Sequence, residues 1–228
     1  NLVTFILQGH FSGKKAMAMA GRMKVVDRLL AAHEAWFDVE RDHRFAGRVF
    51  SGYAEFHSSA SQYVLVKRAK LWEASSHEYL FFWPADYLDE AELNDLLHFM
   101  THEALDKVQL TSDHMSSYLS LVVVADRVDE AVPALVRRAR FRKNFAFGLK
   151  GWADMRVAVV DLSARRVWAN TQGKPLVETL AANAFAEDAP AAEDGKAAPV
   201  AGVADRSAAD AEAPAAEASA VRVSRVGR

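Results

Sequence analysis

Arg137, Arg138, Arg140, Arg142 and Lys143 crowd one short stretch and are threaded with Phe141, Phe145, Phe147 and Trp152, with Arg156 close behind. Cations meet phosphates while ring faces stack on bases, so this mixture suits a surface that binds nucleic acid or another polyanion. It also suits a helix end followed by a hairpin, because cations in a last helical turn meet the negative end of the dipole at about 0.3–1 kcal/mol each. A protein partner is a third reading, and binding that weakens steeply with salt separates a polyanion from it.

His98 and His102 stand four residues apart, a spacing that can present two imidazoles to one metal. On a helix of 3.6 residues per turn the buried stripe is Leu93, Leu96, Leu97, Met100 and Ala104, which leaves both histidines opposite it beside Asp95 and Asp106. That is the pattern of a solvated face, and Phe99 stands where a zinc-protease helix carries its glutamate. His57, His77 and His114 reach such a site only through folding. There is no GxSxG elbow, no Gly-rich phosphate loop and no cysteine. Ser58, Ser59 and Ser61 beside His57 read as turn chemistry. No cofactor is expected from these motifs.

The elements that must position these residues follow from periodicity. Met23–Val39 places Val25, Val26, Leu29, Leu30, His33, Trp36 and Phe37 at helical spacing. Three strands are expected at Val49–His57, Gln62–Glu73 and Glu78–Trp83, with turns at Ser58–Ser61 and Ala74–His77. Asp89 caps a helix running to about Val108, Tyr118–Ala125 is a strand buried on both faces, and Asp129 caps a helix to about Ala139. Strands at Arg142–Phe147 and Ala153–Leu162 and a helix at Pro175–Phe185 complete the order α-β-β-β-α-β-α-β-β-α. The fold class is mixed α/β, one mixed sheet of about six strands flanked by helices. In the last hairpin a three-residue loop, Leu149–Gly151, aligns the apolar residues. It buries Phe145 and Phe147 and leaves Arg142, Asn144, Trp152, Asp154 and Arg156 as a polar face.

The length of 228 residues, about half of them apolar at 51%, suits one good-sized core, expected over residues 21–185. Residues 1–20 read as a flexible leader, or as sequence upstream of a start at Met17, Met19 or Met23. The apolar run Leu2–Leu7 precedes Lys14 and Lys15, which reverses the order of a signal peptide. From Ala186 the chain is rich in Ala, Asp, Glu and Pro and too poor in large apolar residues to offset its backbone entropy, so 186–228 reads as a disordered tail. Eight acids against Lys196 and Arg206 leave −6 over 186–220, and three arginines give +3 to 221–228. Of the net −2, residues 1–185 therefore carry +1, and any polyanion binding must rest on a local patch. The absence of cysteine and of any stretch near the roughly 20 apolar residues of a membrane span fits a cytoplasmic protein without a membrane partner.

The first six elements, about Met23–Ala125, resemble the αβββαβ core of the restriction-endonuclease-like PD-(D/E)XK superfamily. That resemblance implies carboxylates on the second and third core strands holding Mg²⁺ beside an attacking water, with a lysine supporting the charge. Glu55, Glu73, Glu78 and Lys67 are the residues available for it, but Leu80 stands where the acid-x-Lys pattern after Glu78 wants lysine. The segments GYAEFH and GWADMRVAVVDL also resemble a bacterial family of unknown function. The reading is therefore a non-catalytic binding or assembly module with a small basic surface. The alternative is a metal-dependent hydrolase of divergent nuclease fold, the only reading that brings in a divalent metal. If the acids of the tail fold back on the 137–143 cluster, deleting 186–228 tightens binding of an anionic oligomer; unchanged affinity discards the idea.

Overall fold

The computed structural model describes the backbone of residues 2–63, 70–112 and 114–186, and the side chains of 15–57, 76–112 and 114–186. Lys67, the Glu73 side chain and the tail from residue 187 lie outside the described residues.

Helix α1 (Leu2–His33) is continuous, so the segment read as a leader and the expected helix from Met23 are one element. It stops at His33, where the Phe37 amide donates to the His33 carbonyl at 2.9 Å. Trp36, expected on the apolar stripe, therefore lies beyond the helix and is exposed. Strands β1 (Asp38–Phe45) and β2 (Arg48–Tyr63) pair antiparallel through Ala46 and Gly47, at φ 48° and 77°. Two successive positive φ values give the turn that matches strand twist. The charges of DVERDHRF conceal β1 from a sequence reading, yet charge is what keeps an edge strand from pairing elsewhere.

Strand β3 (Lys70–Leu88) pairs antiparallel with β2 from Lys70 to Phe82. Gln62–Glu73, expected as one strand, is thus split between β2 and β3, and Ala74–His77, expected as a turn, is strand. Ser58 lies opposite Ser76 and Ser59 opposite Ser75, so cross-strand pairing overrides the local turn preference of serine.

Asp89 caps α2 (Glu90–Thr101) by accepting from the Glu92 amide at 2.8 Å, while the Glu92 carboxylate accepts from Trp83 Nε1 at 2.8 Å. The helix ends at Thr101 rather than Val108, and Glu103–Lys107 forms a 3₁₀ turn. Then follow β4 (His114–Val128), α3 (Val132–Arg138), β5 (Arg142–Asn144), β6 (Trp152–Asp161), β7 (Arg166–Ala169) and α4 (Val177–Ala184). Strands β1 and β7 were not expected, and because Gln62–Glu73 is not a strand of its own the count rises by one, from six to seven; the order of helices and strands otherwise broadly matches.

All seven strands form one mixed sheet in the order β1-β2-β3-β4-β6-β5, with β7 also on β6. Strands β3, β4 and β6 are parallel, while β5 and β7 run antiparallel along opposite ends of β6. Phe81, Leu121 and Val157 pack under α2 and α3; Leu80, Val122 and Ala158 pack under α1 and α4. Gly52 permits the approach of α1, since a Cβ there would lie 2.8 Å from the Leu30 methyls. Buried Asn170 donates to the carbonyls of Ala139 and Met155 and accepts from the amides of Val157 and Gly173, stitching the chain after β7 to β6 and to the end of α3. No helix of the described residues is long and apolar enough to cross a membrane.

His33 is buried at the end of α1, its Nδ1 2.7 Å from the Leu29 carbonyl and its ring against Phe37 and Phe82. Burial lowers its pKa below the ordinary 6.5, outweighing the Leu29 hydrogen bond and the Glu78 charge. The unfolded chain then binds this proton more readily than the folded one. The stability that His33 contributes is full above about pH 6.5 and is lost as pH falls through the depressed folded value. Urea unfolding at pH 7.5 and 5.5 should show a loss that His33→Leu reduces; equal pH dependence in the two proteins would exclude His33 as its source.

Candidate functional site

The basic stretch is divided by the fold. Arg138, Arg140 and Lys143 are exposed and have no ion pair among the described residues. Arg137 lies over the Trp168 ring, 5.6 Å from its centroid. Arg142 forms a bidentate pair with Asp154, Nε to Oδ1 at 2.7 Å and Nη2 to Oδ2 at 2.5 Å, and stands over Trp152. The carboxylate beside it raises the Arg142 pKa further. Arg156, expected on the polar surface, is instead largely buried: it donates to Glu78 at 2.7 Å and covers the Tyr118 ring at 3.6 Å. Asp154 is likewise interior, at 2% exposure. A cleft of about 320 Å³ lies beside this edge, lined by Arg140, Arg142, Asp154, Asn170, Thr171 and Gln172 among others.

The hairpin register differs from the expected one. Arg142 pairs with Asp154 and Asn144 with Trp152, so the connection spans 145–151. The polar residues still share a face, because the shift is by an even number of residues. The phenylalanines do not become core: Phe147 is fully exposed, Leu149 is 89% exposed and Phe145 is half-buried. Ala146 and Phe147 adopt φ of 47° and 56°, followed by Gly148 at 90°. Left-handed backbone costs a non-glycine residue about 1–2 kcal/mol. The loop is nonetheless anchored. His114 Nδ1 lies 2.7 Å from the Lys150 carbonyl, and a Cβ on Gly151, at φ 73°, would fall 2.1 Å from the Met115 carbonyl oxygen.

Of the nuclease candidates only Glu55 and Glu78 have described side chains, and the fold does not bring these two together. Glu55 lies opposite Tyr79 and not Glu78, so Glu55 and Glu78 project from opposite faces of the sheet. Glu78 is 4% exposed and is held by Arg156 and by the Ser120 hydroxyl at 3.0 Å. The Mg²⁺ site implied by the nuclease resemblance therefore does not fit these two residues. His98, on the exposed side of α2, stacks 4.0 Å from His102, the residue just past the helix end, and His102 Nδ1 lies 2.9 Å from the His98 carbonyl. Asp95 bonds Arg48 instead, which lowers its pKa. Phe99 joins the buried stripe.

A different cluster forms on the other face of β2 and β3. The Tyr53 hydroxyl donates to Glu55 Oε2 at 2.6 Å, Glu55 Oε1 lies 3.7 Å from His57 Nε2, and His57 Nδ1 meets His77 Nδ1 at 2.6 Å. His114 stacks parallel to His77 with centroids 5.8 Å apart, and its Nε2 reaches Ser117 Oγ at 2.9 Å. Burial, then the Glu55 carboxylate, raises the Tyr53 pKa far above the phenol range; the same causes push Tyr79 up to about 12. The sequence signals for this cluster are the alternation Tyr53, Glu55, His57 and the histidines His57, His77 and His114 themselves; their convergence is not legible, because Ala74–His77 reads locally as a turn.

A family model for a domain of unknown function, DUF8052, matches residues 22–182, from the second half of α1 into α4. The chain belongs to this family. No curated protein and no solved structure matches it. The nuclease likeness of the DUF8052 domain thus rests on element order alone.

If Glu78 serves the domain as the counter-ion of Arg156, Glu78→Ala leaves a largely buried guanidinium uncompensated and should cost about 3 kcal/mol in urea unfolding. Unchanged stability would mean that the pair does not support the fold.

Proposed function

We propose that the domain is a non-catalytic, cytoplasmic recognition module that binds single-stranded nucleic acid along the edge formed by β5 and the 145–151 loop. The observation that carries this reading is Phe147: a fully exposed ring on left-handed backbone, in a loop pinned from beneath by His114 and Gly151. Folding gains nothing from exposing that ring, and strained backbone held in place by its surroundings is a recurrent property of binding sites. Lys143 and Lys150 bracket the loop in sequence, and Arg138 and Arg140 add cations without local carboxylate partners. Cations along a strand backbone and a ring for a base are the two components of sequence-tolerant single-strand binding. The absence of cysteine supports the cytoplasmic setting.

Fluorescence anisotropy with a labelled single-stranded oligonucleotide tests the proposal. With three or four phosphates neutralised, log K should fall against log salt with a slope of about −2 to −3. Phe147→Ala should weaken binding at least about fivefold, and R138E/R140E/K143E should weaken it and flatten the slope. Absent or salt-insensitive binding would overturn the reading.

A further inference from the structure

Strands β2 and β3 place His57 directly opposite His77, and their Nδ1 atoms converge to 2.6 Å at an exposed position. The other nitrogen of His57 faces Glu55 Oε1 at 3.7 Å, and Glu55 is itself held by the Tyr53 hydroxyl at 2.6 Å. A carboxylate behind a histidine is the usual means of orienting a metal-binding imidazole, because it fixes the proton on the far nitrogen and leaves the near one as a donor to the metal. Two imidazole nitrogens bound tetrahedrally at about 2.0–2.1 Å stand about 3.3 Å apart, so a small side-chain adjustment converts this pair into a chelate.

We infer that His57 and His77 form a two-histidine site for a borderline divalent ion of the Zn²⁺, Ni²⁺ and Cu²⁺ class, with Glu55 as positioning residue. One proton between the two nitrogens accounts for their 2.6 Å approach; when the ion takes its place that proton moves to His77 Nε2, so both rings stay neutral. Among the described residues no three ligating side chains converge, so water completes the coordination. Imidazole donors favour these ions over Mg²⁺ or Ca²⁺, which take oxygen ligands. His98 and His102 form the competing pair, but the His102 Nδ1 is engaged by the His98 carbonyl, at 2.9 Å, and by Thr101.

Titration calorimetry of ZnCl₂ into the full chain, purified without a histidine tag, tests the site. One ion should bind per chain, with affinity reduced at least about tenfold in His57→Gln and in His77→Gln and unchanged in H98Q/H102Q. Glu55→Gln should weaken binding about tenfold. Loss of binding in H98Q/H102Q with retention in the His57 and His77 variants would overturn the proposal, as would no binding at all. Thermal melts in chelator establish that the variants fold. Should either fail, Cu²⁺ electron paramagnetic resonance in the H98Q/H102Q protein gives an independent readout: two imidazole nitrogens support the site, none or one overturns it.

Discussion

The parallel pairing of β4 with both β3 and β6 is the constraint on which the other features depend. Leu119 and Leu121–Ala125 are fully buried, so this strand must be covered on both faces, by α2 and α3 on one side and α1 and α4 on the other. Parallel neighbours also require crossovers, and these carry α2 and α3. Once β4 is placed, the starts of β3, β4 and β6 come to one end of the sheet. The imidazole cluster, the Glu78–Arg156 pair and the anchor of the 145–151 loop all lie there.

Buried polar groups then lock what the apolar core leaves free to slide. At the opposite end of the sheet Arg22 bonds both Asp86 and Asp126, tying α1 across the ends of β3 and β4. Asn170 does the same for the chain after β7, satisfying four backbone groups at once. Because an unmatched buried donor or acceptor costs about 1–3 kcal/mol, such residues specify position more sharply than hydrophobic contact does. His114 extends the principle to the surface, holding a strained loop through one backbone carbonyl.

The same sheet separates two chemistries. The face under α2 carries Tyr53, Glu55, His57 and His77 in one series of polar contacts, whereas the face under α1 carries Glu78 paired with Arg156. Glu55 and Glu78 sit on neighbouring strands, yet one step of strand alternation puts the sheet between them. That separation excludes a shared carboxylate site for these two.

Much of the architecture was legible in the residues themselves. The 3.6-residue stripe of α1 around Leu29 and Leu30, the Asp89 cap and the unbroken apolar run of β4 each carry a local signal, and the mixed α/β order follows from them. Strand β1 and the join of Ala74–His77 to β3 were not legible, because charge and serine favour loops until a partner strand supplies hydrogen bonds. The basic stretch was visible as composition, and which of its residues share a strand face was legible from alternation, but the register of the hairpin was not. Which cations remain unpaired depends on Asp154 and Glu78, residues 12 and 78 positions from their partners. The sequence by itself determined the elements and their apolar faces, since these are properties of neighbours along the chain. Only the tertiary structure decided that Phe147 is presented and not buried, that Arg156 is withdrawn, and that His57 meets His77, because register and cross-strand contact join residues that the sequence keeps apart.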